Sequence, residues 1–337
     1  MISCKGRIIW TILVAMGTLL SVQAQDPIYS QFYHAPLQLN PALAGIGHAP
    51  RFTALYRNQW PLAGEAFASY ATYSVSYDQY FEEYNSGLGL MILADDAGGG
   101  LIKSNKLSAF YSYNLRVKDD LYIKGGLEGS VLQTRIGWDQ LTFGDQIDPI
   151  NGPISPGGTP YPTNETRPDD DASVVFDAGT GIVLYSPAYY IGISIKHFNS
   201  PNTGIIGENT NAYDGLPLRF GIHGGMEISL GSPNAFIAPN FLFVKQGEFA
   251  QLNAGAYVGI HAVYAGLWYR HAQTNPDAVI ASFGVKKGVF KIGYSFDYTV
   301  SSFGIVNGGS HEFGFIVDLK DVVKKKSVYN DCFQLFR

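Results

Sequence analysis

The chain has 337 residues and a formal net charge of −5, with 46% hydrophobic but only 15% charged residues, where soluble domains carry about 25% charged. Aromatic residues make up 14%, with 22 Tyr and 21 Phe beside 39 Gly. The acidic balance excludes nucleic acid as a partner, and no apolar stretch beyond residue 24 reaches the ~20 residues a spanning helix needs.

Residues 1–24 read as a secretory signal peptide. Lys5 and Arg7 give a positive start, Ile8 to Leu20 carries no charge, and Val22-Gln23-Ala24 offers small residues for cleavage after Ala24. Cys4 leaves with this leader, so Cys332 alone remains and no intramolecular disulfide is available. An exported chain rich in Tyr, Phe and Gly, poor in charge and without spanning helices fits a transmembrane antiparallel β-barrel; a secreted β-sandwich is the rival.

Residues 25–50 come next. They are aromatic and proline-rich, with neither helical nor strand period. Tyr29, Phe32, Tyr33 and Leu37 supply apolar surface, Pro36 and Pro41 are expected to prevent a helix, and Asn40-Pro41 with Gly45 suits a turn into the first strand. The segment is expected to start on the periplasmic side and to plug the lumen or lie across its inner mouth, with a periplasmic docking patch as the other reading.

Residues 51–319 alternate with period two, the mark of strands with one apolar and one polar face. In the stretch from Phe290, the residues Phe290, Ile292, Tyr294, Phe296 and Tyr298 share one face; Lys291, Gly293, Ser295 and Asp297 share the other. Similar patterns run from Leu218, Asp120 and Glu312, and the glycines fall mostly on the polar side, where strands crowd and bend. About fourteen strands are expected, an even number as bacterial barrels require. They start near Arg51, Phe67, Ser86, Ile102, Asp120, Ser173, Ala188, Leu218, Ala235, Phe249, Ala262, Asp277, Val289 and Ser310, with His261 in the weakest hairpin. If the chain starts in the periplasm, its longest connections, 137–171 and 199–217, face outside and its short turns face inside. The turn from Asp78 to Asn85 is a mild exception. Asp169, Asp170 and Asp171 offer carboxylates, but spacing alone does not make them converge on a cation, and a solvated acidic loop is the plainer reading.

Residues 320–337 follow the last strand as a basic periplasmic tail, with Lys324 to Lys326 and Cys332.

Three stretches carry a resemblance. "DPIYSQFYHAPLQLNPALAG" (26–45), "YRNQWP" (56–61) and "GYSFDYTVSSF" followed by "GSHEF" (293–313) resemble the signatures of the PorP/SprF family, outer-membrane proteins of the Bacteroidetes type IX secretion system. The resemblance implies a non-enzymatic secretion component that sits in outer-membrane lipid, contacts the periplasmic ring lipoproteins, and helps export surface adhesins used in gliding and hold them at the surface. The long central loops and the basic tail are not matched. The alternative is a porin or hydrophobic-solute channel.

Candidate chemistry is sparse. Ser310, His311 and Glu312 are neighbours, and adjacent strand residues point to opposite faces, so they cannot form one catalytic site in a regular strand. No HExxH, CxxC or phosphate loop occurs, so neither metal nor cofactor is expected. The two end motifs suggest a structural pair instead. First and last strands of a closed barrel are neighbours. On the inward phase, the first offers Thr53, Leu55, Arg57 and Gln59; the last offers Glu312, Gly314 and Asp318. Arg57 and Glu312 are expected to pair across the closing seam, against the reading of two unrelated charges in lumen water.

Overall fold

The computed structural model describes residues 25–47, 49–62, 70–205, 215–232, 235–273, 277–300 and 308–319. The leader, the tail from 320 to 337 and parts of the loops at 199–217 and 299–309 lie outside the described residues.

The strands, in chain order, are β1 (Arg51–Gln59), β2 (Tyr70–Phe81), β3 (Ser86–Ala97), β4 (Ile102–Lys118), β5 (Leu121–Ile136), β6 (Ala172–Tyr185) and β7 (Tyr189–Lys196). They continue as β8 (Arg219–Met226), β9 (Ile228–Ser232), β10 (Ala235–Gln246), β11 (Phe249–Ile260), β12 (Val263–Ala272), β13 (Ala278–Lys287), β14 (Phe290–Thr299) and β15 (Ser310–Asp318). With β8 and β9 taken together, each pairs antiparallel with its chain neighbours, and β15 returns to pair with β1, closing the sheet. β8 and β9 are two parts of one strand along β10, so the ring is a fourteen-stranded barrel.

The break between β8 and β9 has its cause on the partner strand. β10 aligns Asn240 with Gly225 and Ile237 with Ile228, and the ladder skips Pro239 between them. Proline has no N–H to donate. On the other side of β8 the ladder with β7 continues, with Glu227 donating its N–H to the Ala188 carbonyl.

Every expected strand start within the described residues falls within one residue of an observed one. β2 is first seen at Tyr70, residues 63–69 being undescribed. Asp78 belongs to β2, which runs on to Phe81, so the turn before β3 shrinks to residues 82–85. The hairpin at His261 is a two-residue turn, with His261 itself in the left-handed region at φ 56°.

The burial pattern is that of a soluble protein turned inside out. Large apolar side chains such as Val75, Ile92, Leu107, Leu127, Phe176, Leu267 and Ile292 face outward and exposed. The inward phase carries buried Arg57, Asp78, Glu128, Asp177, Lys196, Asp297 and Glu312. This sorting is stable where the surrounding solvent is hydrocarbon, because a closed barrel leaves no backbone edge unsatisfied there. The connections sort with it. The described parts of the connections 60–69, 137–171 and 197–218 lie at one end, with the shorter ones at 98–101 and 247–248, and the turns at 82–85, 119–120, 186–188, 261–262 and 288–289 lie at the other. Long loops are extracellular and short turns periplasmic in such barrels.

Candidate functional site

The lumen is occupied by the chain's own amino-terminal segment. Every residue from Tyr29 to Gly47 is buried. The segment does not begin at the periplasmic mouth, as its position before β1 suggests. Asp26 lies at the long-loop end, beside His197, Arg219 and Gln246. From there the chain descends through the barrel to Gly45 at the short-turn end and then enters β1. The start is displaced because the segment is long enough to traverse the barrel, and both of its ends find charged wall groups to bind.

Pro36 and Pro41 do not keep the segment free of helix. Each opens one short turn, Pro36–Leu39 as α-helix and Pro41–Leu43 as 3₁₀-helix. Proline is favoured at a first helical position, where its missing N–H is not needed. Asn40 caps the second turn by accepting from the Ala42 N–H at 2.9 Å. Its amide also donates to the wall, to the Ile193 carbonyl at 3.0 Å. Gly45 then turns the chain at φ +68°.

The wall is shaped for this segment. A Cβ built on Gly181 would sit 2.0 Å from Asn40 Oδ1, and one on Gly126 would sit 2.2 Å from the Ala42 nitrogen. These inward glycines make the room in which Asn40 to Ala42 lie. Beside them, Phe32, Tyr33, Leu39 and Leu43 pack with Tyr122, Tyr185, Tyr257 and Trp268 of the wall into one apolar cluster. Tyr33 stacks on Trp268 at 5.3 Å between ring centroids and an angle of 22°, and its hydroxyl meets Ser282 at 3.1 Å. Leu37 joins Met91 and Phe110 in a second cluster; Tyr29 and Leu55 belong to a third.

Ionic clusters hold both ends. At the outer end Arg57 pairs with Glu312 across the seam between β1 and β15, in direct register. The pair is part of a larger group: Arg57 and Arg270 both reach Asp297, at 3.3 and 2.8 Å. The plug completes it. Glu312 accepts the backbone N–H groups of Ser30 and Gln31 at 2.6 and 2.9 Å, and Ser30 Oγ donates to Asp297 at 2.6 Å. At the inner end Arg51 pairs with Asp78 at 2.8 Å, and Asp78 accepts the Gly45 N–H at 2.8 Å. Buried charges are tolerable when paired and hydrogen-bonded in this way. Sequence reading finds Arg57 and Glu312 but misses Ser30, Gln31, Arg270 and Asp297. The inward phase of β12 and β14 marks the two charges, whereas nothing in the sequence marks the backbone donors.

A third group surrounds Asp26. His197 contacts Asp26 at 2.9 Å and Asp177 at 3.0 Å, and Arg219 reaches Asp26 at 3.2 Å. Burial by itself raises the Asp26 carboxyl, but His197 and Arg219 outweigh it and hold it well below the usual range. Burial likewise opposes charge on His197, yet the carboxylates of Asp26 and Asp177 raise it to about 9.

Glu312 and His311 point to opposite faces, as adjacent strand residues must: Glu312 into the lumen, His311 to Tyr294 Oη at 2.8 Å. Among the described residues no group of His, Cys, Asp and Glu is arranged to hold a metal.

A closed barrel with an apolar outer face, a polar inner wall and its longest loops all at one end is an outer-membrane β-barrel. The family described as type IX secretion system membrane protein PorP/SprF matches residues 21–316, and the chain belongs to it. No curated protein matches the chain. Among solved structures it is similar to a deltaS2 mutant of the TodX monoaromatic hydrocarbon channel, at 11% identity over 84% of this chain and 92% of that one, TM-score 0.45. It is similar also to a Pseudomonas aeruginosa FadL homologue, at 8% identity over 80% and 90%, TM-score 0.42. A third is Acinetobacter baumannii Omp33, at 7% identity over 80% and 97%, TM-score 0.41.

Proposed function

We propose that this barrel is a non-enzymatic, partner-binding component of type IX secretion. It is exported by a leader cleaved after Ala24, assists the export and surface attachment of cargo such as gliding adhesins, and contacts the periplasmic ring lipoproteins from its short-turn side. The observation that carries this reading is the filled lumen. The segment with the family's amino-terminal signature occupies the space a transiting solute needs, from the Ser30–Glu312 contact to the Gly45–Asp78 contact. A barrel so filled acts through its surfaces.

Deleting the gene and comparing the secreted and outer-membrane proteomes tests the proposal. Loss of surface adhesins with solute permeability intact is the expected result. Unchanged adhesins with reduced uptake of small solutes would overturn it in favour of a porin or hydrophobic-solute channel, which requires the plug to move.

A further inference from the structure

Above the plug, at the long-loop end, lies a cavity of about 380 Å³. Its lining mixes the apolar Met91, Leu93, Leu132 and Leu216 with the basic Lys106 and Arg219 and the wall carboxylate Asp95; Lys106 lies in register between Leu93 and Leu132. The only plug carboxylate that borders it is Asp26. Its Oδ2 sits between His197 Nε2 at 2.9 Å and Arg219 Nη1 at 3.2 Å, while its backbone N–H donates to Gln246 Oε1 at 3.1 Å. His197 and Lys106 have wall partners besides the plug: His197 also contacts Asp177, which in turn holds Lys106 at 2.8 Å. A wall-mounted cation pair facing a half-apolar cavity is a built receptor for a carboxylate.

We propose that this is a carboxylate-binding site whose resident ligand is the chain's own Asp26, and that a carboxylate with a leucine-sized apolar group, entering from the long-loop end, replaces it. The incoming carboxylate takes the His197–Arg219 position, and its apolar group packs against Met91, Leu93, Leu132 and Leu216. Asp26 then leaves, and the outer tip of the plug is released. The chemistry suits a free branched acid or the terminal residue of a peptide equally. The inference does not depend on the secretion role, since it rests on the cavity and the two cations alone.

Calorimetric titration of the full chain in detergent tests it, with N-acetyl-L-leucine as the probe and N-acetyl-L-leucinamide as the uncharged control. Removing the resident carboxylate leaves Arg219 buried without its anion, so Asp26→Ala is expected to bind the acid at least tenfold more tightly than the wild type. Asp26→Asn, which keeps the shape, is expected to do the same, and adding Arg219→Gln abolishes the gain. The amide does not bind. Heat-modifiable electrophoretic migration verifies that each variant is a folded barrel. 4-Methylpentanoate separates the sources: binding equal to that of N-acetyl-leucine points to a free acid, and weaker binding to a peptide end. Folded Asp26 variants that gain no affinity, or that bind acid and amide alike, overturn the proposal.

Discussion

Arg57 and Glu312 stand 255 residues apart in sequence and face each other across the seam that closes the barrel. Neither belongs to the other alone. Glu312 also accepts two plug N–H groups, and Arg57 also serves Asp297. Removing one member of a buried pair typically costs about 3–5 kcal/mol because the remaining charge is stranded. Glu312→Ala is therefore expected to lower the heat-unfolding temperature well beyond the exposed control Lys103→Ala. Reversing both charges restores assembly if the two residues form an isolated pair; with plug N–H groups aimed at position 312, the double reversal is expected to stay defective. The heat-modifiable shift of each variant on gels reads both outcomes.

Gly126 and Gly181 are expected to be required for plugging. Gly126→Val and Gly181→Val place side-chain atoms where Ala42 and Asn40 lie. Each is expected to expel the middle of the plug and to open a stable conductance in planar bilayers. Gly125→Val is the control. A Cβ there meets nothing within 4 Å and points outward, so this variant keeps the closed behaviour of the wild type.

Deleting Asp26 to Leu39 removes the Ser30 and Gln31 donors together with Tyr33. Conductance is expected to rise, and the emission of the protein to shift to the red as Trp268 loses its stack with Tyr33. Unchanged conductance and unchanged adhesin export would together remove both the plugging and the docking role of the segment.

The contact between Asp26 and His197 carries a pH dependence. The folded value of His197, about 9, lies above its ordinary 6.5. Its stabilising contribution is therefore complete below about pH 6.5 and is lost as the pH rises through about 9. The unfolding temperature of the wild type is expected to fall between pH 7 and 10 by more than that of His197→Gln, and the difference between the two curves isolates this residue from other groups that titrate there.

The barrel was legible because period two survives any tertiary context: Phe290 to Thr299 alternates in the sequence as it alternates in space. The seam pair followed from the same phase, since a closed sheet makes its first and last strands neighbours. The course of the plug was not legible. Pro36 and Pro41 look like helix breakers, yet each sits at a first helical position where proline fits. The glycines at 126 and 181 fall on the inward phase, but which backbone they admit depends on a segment more than eighty residues away. The gap after Met226 arises from Pro239 on another strand, so nothing in β8 itself announces it.

The outer cluster draws on Ser30 and Gln31 before the first strand and on Glu312 in the last. The stability of the closing seam is thereby tied to residues at both ends of the strand order. A chain missing its opening residues lacks the donors that settle Glu312, and one missing its final strand leaves β1 as a bare edge open to pairing with other molecules. Loss of either end therefore weakens the seam from a different side, and its stability reports on both at once.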